Sequence, residues 1–166
     1  MKQFHYKLED LFQKENPLFL ILEDIQDPGN LGTMVRTAEG AGVDGVIMTK
    51  ATVDIYNPKT IRSTMGSIYR MPFLYTDDLL GIMKQLKEKE VTLYAAHLKG
   101  TQFYHELDFK GGTAFLIGNE GNGLKEETTQ AADVYMKIPM LGQVESLNAA
   151  VASVILMYEA ARQRMV

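Results

Sequence analysis

The chain has 166 residues, 46% hydrophobic and 23% charged, with no cysteine and a formal net charge of −4. That length suits one domain burying roughly 70% of the surface it exposes when unfolded. The absence of cysteine removes disulfide and thiolate chemistry and fits a cytoplasmic home. No apolar run approaches a membrane span, and the start Met1-Lys2-Gln3-Phe4-His5 lacks the pattern of a secretory leader. An acidic balance is opposite to the usual footprint of a nucleic-acid binder, yet phosphates respond to local potential. Arg36, Lys50, Lys59, Arg62 and Arg70 either gather on one face or are solvated surface charges, and both readings stay open.

In chain order, residues 1–17 are polar and weakly patterned and read as a short helix or strap ahead of a domain over 18–166. Strand-like runs at 18–23, 44–48, 91–96, 113–117 and 133–138 alternate with helix-like segments at 31–41, 57–66, 77–89, 124–131 and 146–163. This alternation is the βαβ pattern of an α/β fold: a mostly parallel sheet flanked by helices. Asp77 or Asp78 caps a helix whose Leu79, Leu80, Ile82, Met83 and Leu86 form one apolar stripe. The last helix is different. Leu147, Ala150, Val151, Val154, Ile155, Leu156, Met157 and Tyr158 wrap most of its circumference, so part of it must be covered by something beyond the sheet, and a partner subunit is the economical candidate.

Three apolar-to-polar junctions stand where such folds bind ligands, outside the carboxyl ends of the strands. At the first, Pro28-Gly29-Asn30 makes a turn, Asn30 is placed to cap the following helix, and Arg36 lies about two turns in. Arg36 is either a solvated helix residue or a planar, permanently charged fork for a phosphate or alkoxide. At the second, the glycines of Gly118-Asn-Glu120-Gly-Asn-Gly123-Leu124 fit neither the dinucleotide fingerprint nor the P-loop, which disfavours a nucleotide-binding enzyme. They still let the backbone approach a ligand, with Glu120 adding a carboxylate. At the third, Ser146 is a good helix N-cap, which leaves Asn148, a poor helix former able to donate and accept, without a capping role. Metal and nucleophile sites find no support. His5, His97 and His105 lack ligand spacing and read as structural or surface residues, and there is no G-x-S-x-G elbow.

In this order, Asp27-Pro-Gly-Asn-Leu-Gly-Thr-Met-Val-Arg36-Thr-Ala, Ile117-Gly-Asn-Glu-Gly-Asn-Gly-Leu124 and Ile138-Pro-Met-Leu-Gly-Gln-Val-Glu-Ser-Leu-Asn-Ala149 closely resemble the motifs of the SpoU (TrmH-like) RNA ribose 2′-O-methyltransferases of the SPOUT superfamily. The likeness runs from about Leu18 to Arg164, and Arg62-Ser-Thr-Met-Gly-Ser-Ile-Tyr-Arg-Met-Pro72 also looks like the family's segment between its first two motifs. The resemblance implies a C-terminal trefoil knot, S-adenosylmethionine as methyl donor, and a homodimer joined through the C-terminal helix with site groups contributed across the interface. The substrate it implies is structured RNA, rRNA or tRNA, with no metal and no membrane. By motif position, Gly118, Ile138 and Leu147 would meet the cofactor through backbone groups and Met140 would line its pocket. Asn30, Arg36, Glu120, Ser146 and Asn148 match catalytic and substrate-contacting positions. Arg36 would grip phosphate and stabilise the developing alkoxide, the proton leaving to phosphate, water or Glu120. Many members carry a substrate-recognition domain ahead of this one, so the chain is either a minimal member or a piece of a longer protein whose remnant is 1–17. The alternative within the same fold is a non-catalytic module that holds RNA or cofactor without turnover.

Overall fold

The computed structural model describes residues 3–165, so the ends of the predicted strap and of the main domain, residues 1, 2 and 166, lie outside the described residues. Seven parallel strands form one sheet: β1 Leu18–Leu22, β2 Gly45–Thr49, β3 Phe73–Thr76, β4 Thr92–Ala96, β5 Gln102–Phe103, β6 Thr113–Ile117 and β7 Val134–Lys137, in the order β3-β2-β1-β6-β4-β7-β5. β1 and β6 are buried at every position, and they pair in register from Leu18 beside Thr113 to Leu22 beside Ile117. A parallel sheet covered on both faces needs such uninterrupted apolar runs, which is why these central strands stand out in the sequence.

Five helices cover the sheet: α1 Pro28–Gly40, α2 Pro58–Thr64, α3 Leu79–Glu88, α4 Glu126–Ala131 and α5 Ala149–Arg164. Leu20, Leu22, Val46, Met48 and Phe115 face α1 and α5 through Leu31, Met34, Val35, Leu156 and Met157. The intervening residues Phe19, Ile21, Ile47 and Leu116 face α3 through Leu79, Met83 and Leu86. The two-residue alternation along each strand therefore sorts one continuous apolar run onto two cores.

Two strands escape the sequence reading. β3 follows Pro72 and has three of its four residues only half-buried, and β5 is two residues long, so neither carries a periodic signal. Residues ahead of β1 pack against this frame. Leu11 is fully buried, Tyr6 meets Phe73 edge-on at 5.7 Å, and the Phe4 amide donates to the Tyr56 hydroxyl at 2.8 Å. At the amino ends of the strands, Arg164 near the end of α5 donates to the carbonyls of Asn16, Phe109 and Gly111 at 2.7, 2.8 and 2.6 Å. No described helix is long and apolar enough to cross a membrane.

Candidate active site

All seven strands run the same way, so the loops after β1, β4, β6 and β7 meet at one end of the sheet. After β1 the chain turns sharply. Glu23 is only 3% exposed and its carboxylate accepts the Lys125 amide at 2.7 Å and the Thr128 hydroxyl at 2.5 Å, tying the end of β1 to the start of α4. Asp24 then adopts a left-handed backbone with φ of 56°, held by reciprocal bonds with the Thr49 hydroxyl at 2.8 and 2.7 Å.

Asp27, rather than Asn30, caps α1: its side chain accepts the Asn30 amide at 2.9 Å, and Pro28 occupies the first helical position. Proline is favoured there because the missing N–H has no helical partner to lose, and the helix starts three residues ahead of the sequence reading. Asn30 lies within the first turn, and its side chain is free for another task.

After β6 the chain reverses over a turn closed by the Gly123 amide donating to the Asn119 carbonyl at 2.9 Å. A Cβ on Gly118 would lie 2.2 Å from the backbone of Gly123 and Leu124, so this position requires glycine. The Asn119 side chain accepts from the Gly121 and Asn122 amides at 2.9 and 3.0 Å and donates to the Asp24 carbonyl at 2.7 Å, locking the second junction to the first. Glu120 completes the lock. Its carboxylate accepts the amides of Gln26 at 3.1 Å and Asp27 at 3.0 Å, with the Asn30 amide nitrogen at 3.5 Å. Desolvation works to raise its pKa, but the N–H donors of Asp27 and Gln26 outweigh it and hold the carboxyl below its ordinary value.

At the third junction the expected roles are exchanged. Asn148, not Ser146, is the N-cap of α5, accepting from the amides of Ala150 and Val151 at 2.8 and 3.2 Å, and the helix begins at Ala149. Asn148 also uses its second polar atom, donating to the Asn30 side-chain oxygen at 3.3 Å. Asn148, Asn30 and Glu120 thus form one hydrogen-bonded run linking three segments distant in sequence.

Beside this run is a cavity of about 380 Å³ at the carboxyl ends of β4, β6 and β7. It contains all four expected cofactor positions, Gly118, Ile138, Met140 and Leu147, together with Glu120 and Ser146. Its floor is apolar, with Ile117, Met136 and Leu156, and Glu145, Lys99 and Lys137 add charge. Such a volume falls in the range of about 300–1,000 Å³ typical of small-molecule sites.

Arg36 stands apart. It is exposed, does not line the cavity, and makes no hydrogen bond or ion pair with the described residues. Two of the five basic residues are held at different places by ion pairs. Lys50 pairs with Asp77 after β3, whereas Arg70 pairs with Glu39 near the end of α1, before β3 begins. The sequence reading also passes over the loop after β4, whose His97, Leu98 and Lys99 line the cavity with Ala96 at the strand's end. His97 is therefore a cavity residue, with Nδ1 accepting the Lys99 amide at 3.1 Å. The position of β4 next to β6 could have flagged it, but strand order is not written in sequence spacing. Among the described residues no group of three His, Cys, Asp or Glu is arranged to hold a metal ion.

Residues 17–158 match the family model of the SpoU rRNA Methylase family. The chain belongs to this family. It is 40% identical over 139 residues to the 23S rRNA (guanosine(2553)-2′-O)-methyltransferase RlmP of Bacillus subtilis, covering 84% of this chain and 56% of that protein. It is 38% identical over 147 residues to the 23S rRNA (guanosine-2′-O-)-methyltransferase RlmB of Bordetella pertussis, covering 89% and 60%. The chain thus spans a little over half the length of these curated relatives. The structure of the SpoU methyltransferase AviRb from Streptomyces viridochromogenes in complex with AdoMet superposes with a TM-score of 0.90 at 31% identity, over 96% of this chain and 62% of that one. A structure bearing on 2′-OH methylation of C/U34 on tRNA superposes with a TM-score of 0.82 at 29% identity, over 92% of this chain and 99% of that one. These matches agree with the fold and family expected from the three motifs.

Proposed function

We propose that this chain catalyses S-adenosylmethionine-dependent methylation of a ribose 2′-hydroxyl in rRNA or tRNA, as a cytoplasmic homodimer. The observation that carries the reading is the meeting of the three junctions: a cavity of about 380 Å³ with Asn30, Glu120 and Asn148 bonded together beside it. The residues present fit the cofactor. An apolar floor of Ile117, Met136 and Leu156 suits a flat ring system, the main chain at Gly118, Ile138 and Leu147 offers hydrogen bonds, and Glu120 and Glu145 complement a positive sulfur. When bound, S-adenosylmethionine supplies a methyl carbon on a sulfonium, open to in-line displacement.

Positioning by the chain accounts for much of the acceleration, since holding two reacting atoms in attack geometry is worth roughly 7–11 kcal/mol. Asn148 and Asn30 brace Glu120 at the edge of the cavity, and Ser146 lines it with a hydroxyl side chain. Glu120 spends its oxygens on main-chain donors and serves to hold two turns together, which leaves the ribose proton to phosphate or water. Arg36 grips phosphate and steadies the alkoxide, supplied from the partner subunit. Its exposure and lack of partners among the described residues support that reading.

The dimer is read from α5. Ala150, Ser153, Leu156, Met157 and Ala160 are buried, yet Val151 and Tyr158, two turns apart on another side of the helix, are each 48% exposed. A second copy covering that stripe would bring two cavities together about a twofold axis. The trefoil knot belongs to the same reading: β7 inserts between β4 and β5, which both precede it, and a Cβ on Gly100 would lie 2.7 Å from the Met136 backbone. Residues 1–17 would act as a strap on the catalytic domain.

Labelled methyl transfer from S-adenosylmethionine to total RNA, followed by nuclease digestion, tests the activity. Label in a 2′-O-methyl nucleoside is expected, and label on a base atom or on protein overturns the assignment. Cofactor binding without any transfer would leave the non-catalytic module.

A further inference from the structure

A second cavity of about 270 Å³ opens on the other side of the turn that carries Glu120. Asp24, Gln26, Ala51 and Lys125 line it without lining the first cavity, whereas Asn119, Asn122, Gly123 and Leu124 border both. The turn from Asn119 to Gly123 is therefore a partition between two compartments, and the Gln26 amide reaches across it to both carboxylate oxygens of Glu120 at 3.1 Å. The methyl donor explains the first compartment. Nothing in that chemistry explains the second.

We propose that the second cavity receives the nucleobase of the nucleotide being methylated. This rests on the methyltransferase reading of the adjacent site. A ribose hydroxyl reaches a buried methyl group only when its nucleotide leaves the stack, and the freed base then needs a pocket close to the reacting centre. The volume suits one flat ring system and lies below that of sites holding a whole drug-sized ligand, about 300 Å³ and upward. The lining carries what a base edge reads. Lys125 presents an ammonium 3.5 Å from Asp24, the Asn122 carboxamide makes no hydrogen bond with the described residues, and the Gln26 carboxamide donates to the carbonyls of Ala51 at 2.6 Å and Asp24 at 3.3 Å while its oxygen accepts nothing from the described residues. Leu124 offers an apolar surface. Asp24 holds its left-handed φ of 56° at this cavity, anchored by Thr49 and Asn119, and a non-glycine residue kept there marks a position whose geometry the surroundings over-determine. With the base seated here, the ribose straddles the partition and its 2′-hydroxyl faces the first compartment.

Ala51→Phe fills the second cavity and Lys125→Met removes its cation, neither touching the first. With the RNA identified by labelled transfer, each variant should raise the KM for RNA about tenfold, the size of one lost base contact. Their calorimetric affinity for S-adenosylmethionine should stay that of the wild type. An unchanged RNA KM in both variants overturns the proposal. A readout independent of turnover is the ¹H–¹⁵N spectrum of the cofactor-saturated wild type titrated with each ribonucleoside 5′-monophosphate. Shifts at Gln26, Ala51 and Lys125 are expected, and shifts absent there overturn it. Loss of methyl transfer by the wild type itself would instead strike the underlying assignment, while the titration still reads the pocket.

Discussion

Glu120 illustrates how far a single residue can be read before its neighbours are known. From the sequence it is a carboxylate in a glycine-rich turn, open to roles as base, ligand or bystander. In the fold its oxygens face the amides of Gln26 and Asp27, two residues that sit 94 and 93 positions earlier. Main-chain donors leave no trace in side-chain spacing, so the locking role was not legible, whereas the presence of Glu120 beside the cavity was. Its pKa is depressed in the folded chain below the ordinary 4.5, so its contribution to stability is complete above that value and is lost as pH falls through the folded pKa. Glu120→Gln should therefore be less stable than the wild type at neutral pH by about 1 kcal/mol, less than a buried charged hydrogen bond contributes because the group is exposed. The gap should close in acid, and urea midpoints across that range measure it. A gap that stays constant with pH would show that the charge on Glu120 contributes nothing.

At the level of elements, the helices and central strands were readable because burial imposes a period, and their ends were not because capping is decided by geometry. Both the first and third junctions hold two residues able to cap, and in each the sequence favours the wrong one: Asn30 over Asp27 and Ser146 over Asn148. The exchange has a functional consequence, since Asn148 both caps α5 and holds Asn30. Two substitutions separate those tasks. Asn148→Ala loses the cap and should cost about 1 kcal/mol, lowering the melting temperature by about 2–4 °C for a chain of this size. Asn148→Asp keeps an acceptor for the amides of Ala150 and Val151 and should restore the melting temperature. It has no donor for Asn30 and adds negative charge near Glu120, so methyl transfer should remain depressed. If Asn148→Asp recovers both properties, the contact with Asn30 is incidental.

Over the whole molecule, the parallel α/β sheet follows from the alternation of runs, whereas β3, β5 and the strand order do not, because short edge strands owe their existence to neighbours rather than to their own pattern. The same limit governs the site. A single chain brings Asn30, Glu120, Asn148 and Ser146 together and leaves Arg36 outside, although its motif position sets it among them. A twofold dimer about the exposed stripe of α5 resolves this if the partner's guanidinium completes each cavity, and mixed dimers decide it. Arg36→Ala and Ser146→Ala homodimers should each be inactive. Co-refolded in equal amounts, half the dimers are mixed, and each mixed dimer holds one site with Ser146 from one copy and Arg36 from the other intact. Activity should return to about a quarter of the wild-type value. Were Arg36 to serve the cavity of its own chain, every site in the mixture would carry a lesion and no activity would return. Val151→Glu, which places charge in the proposed interface, should yield monomers by analytical ultracentrifugation and abolish the recovery.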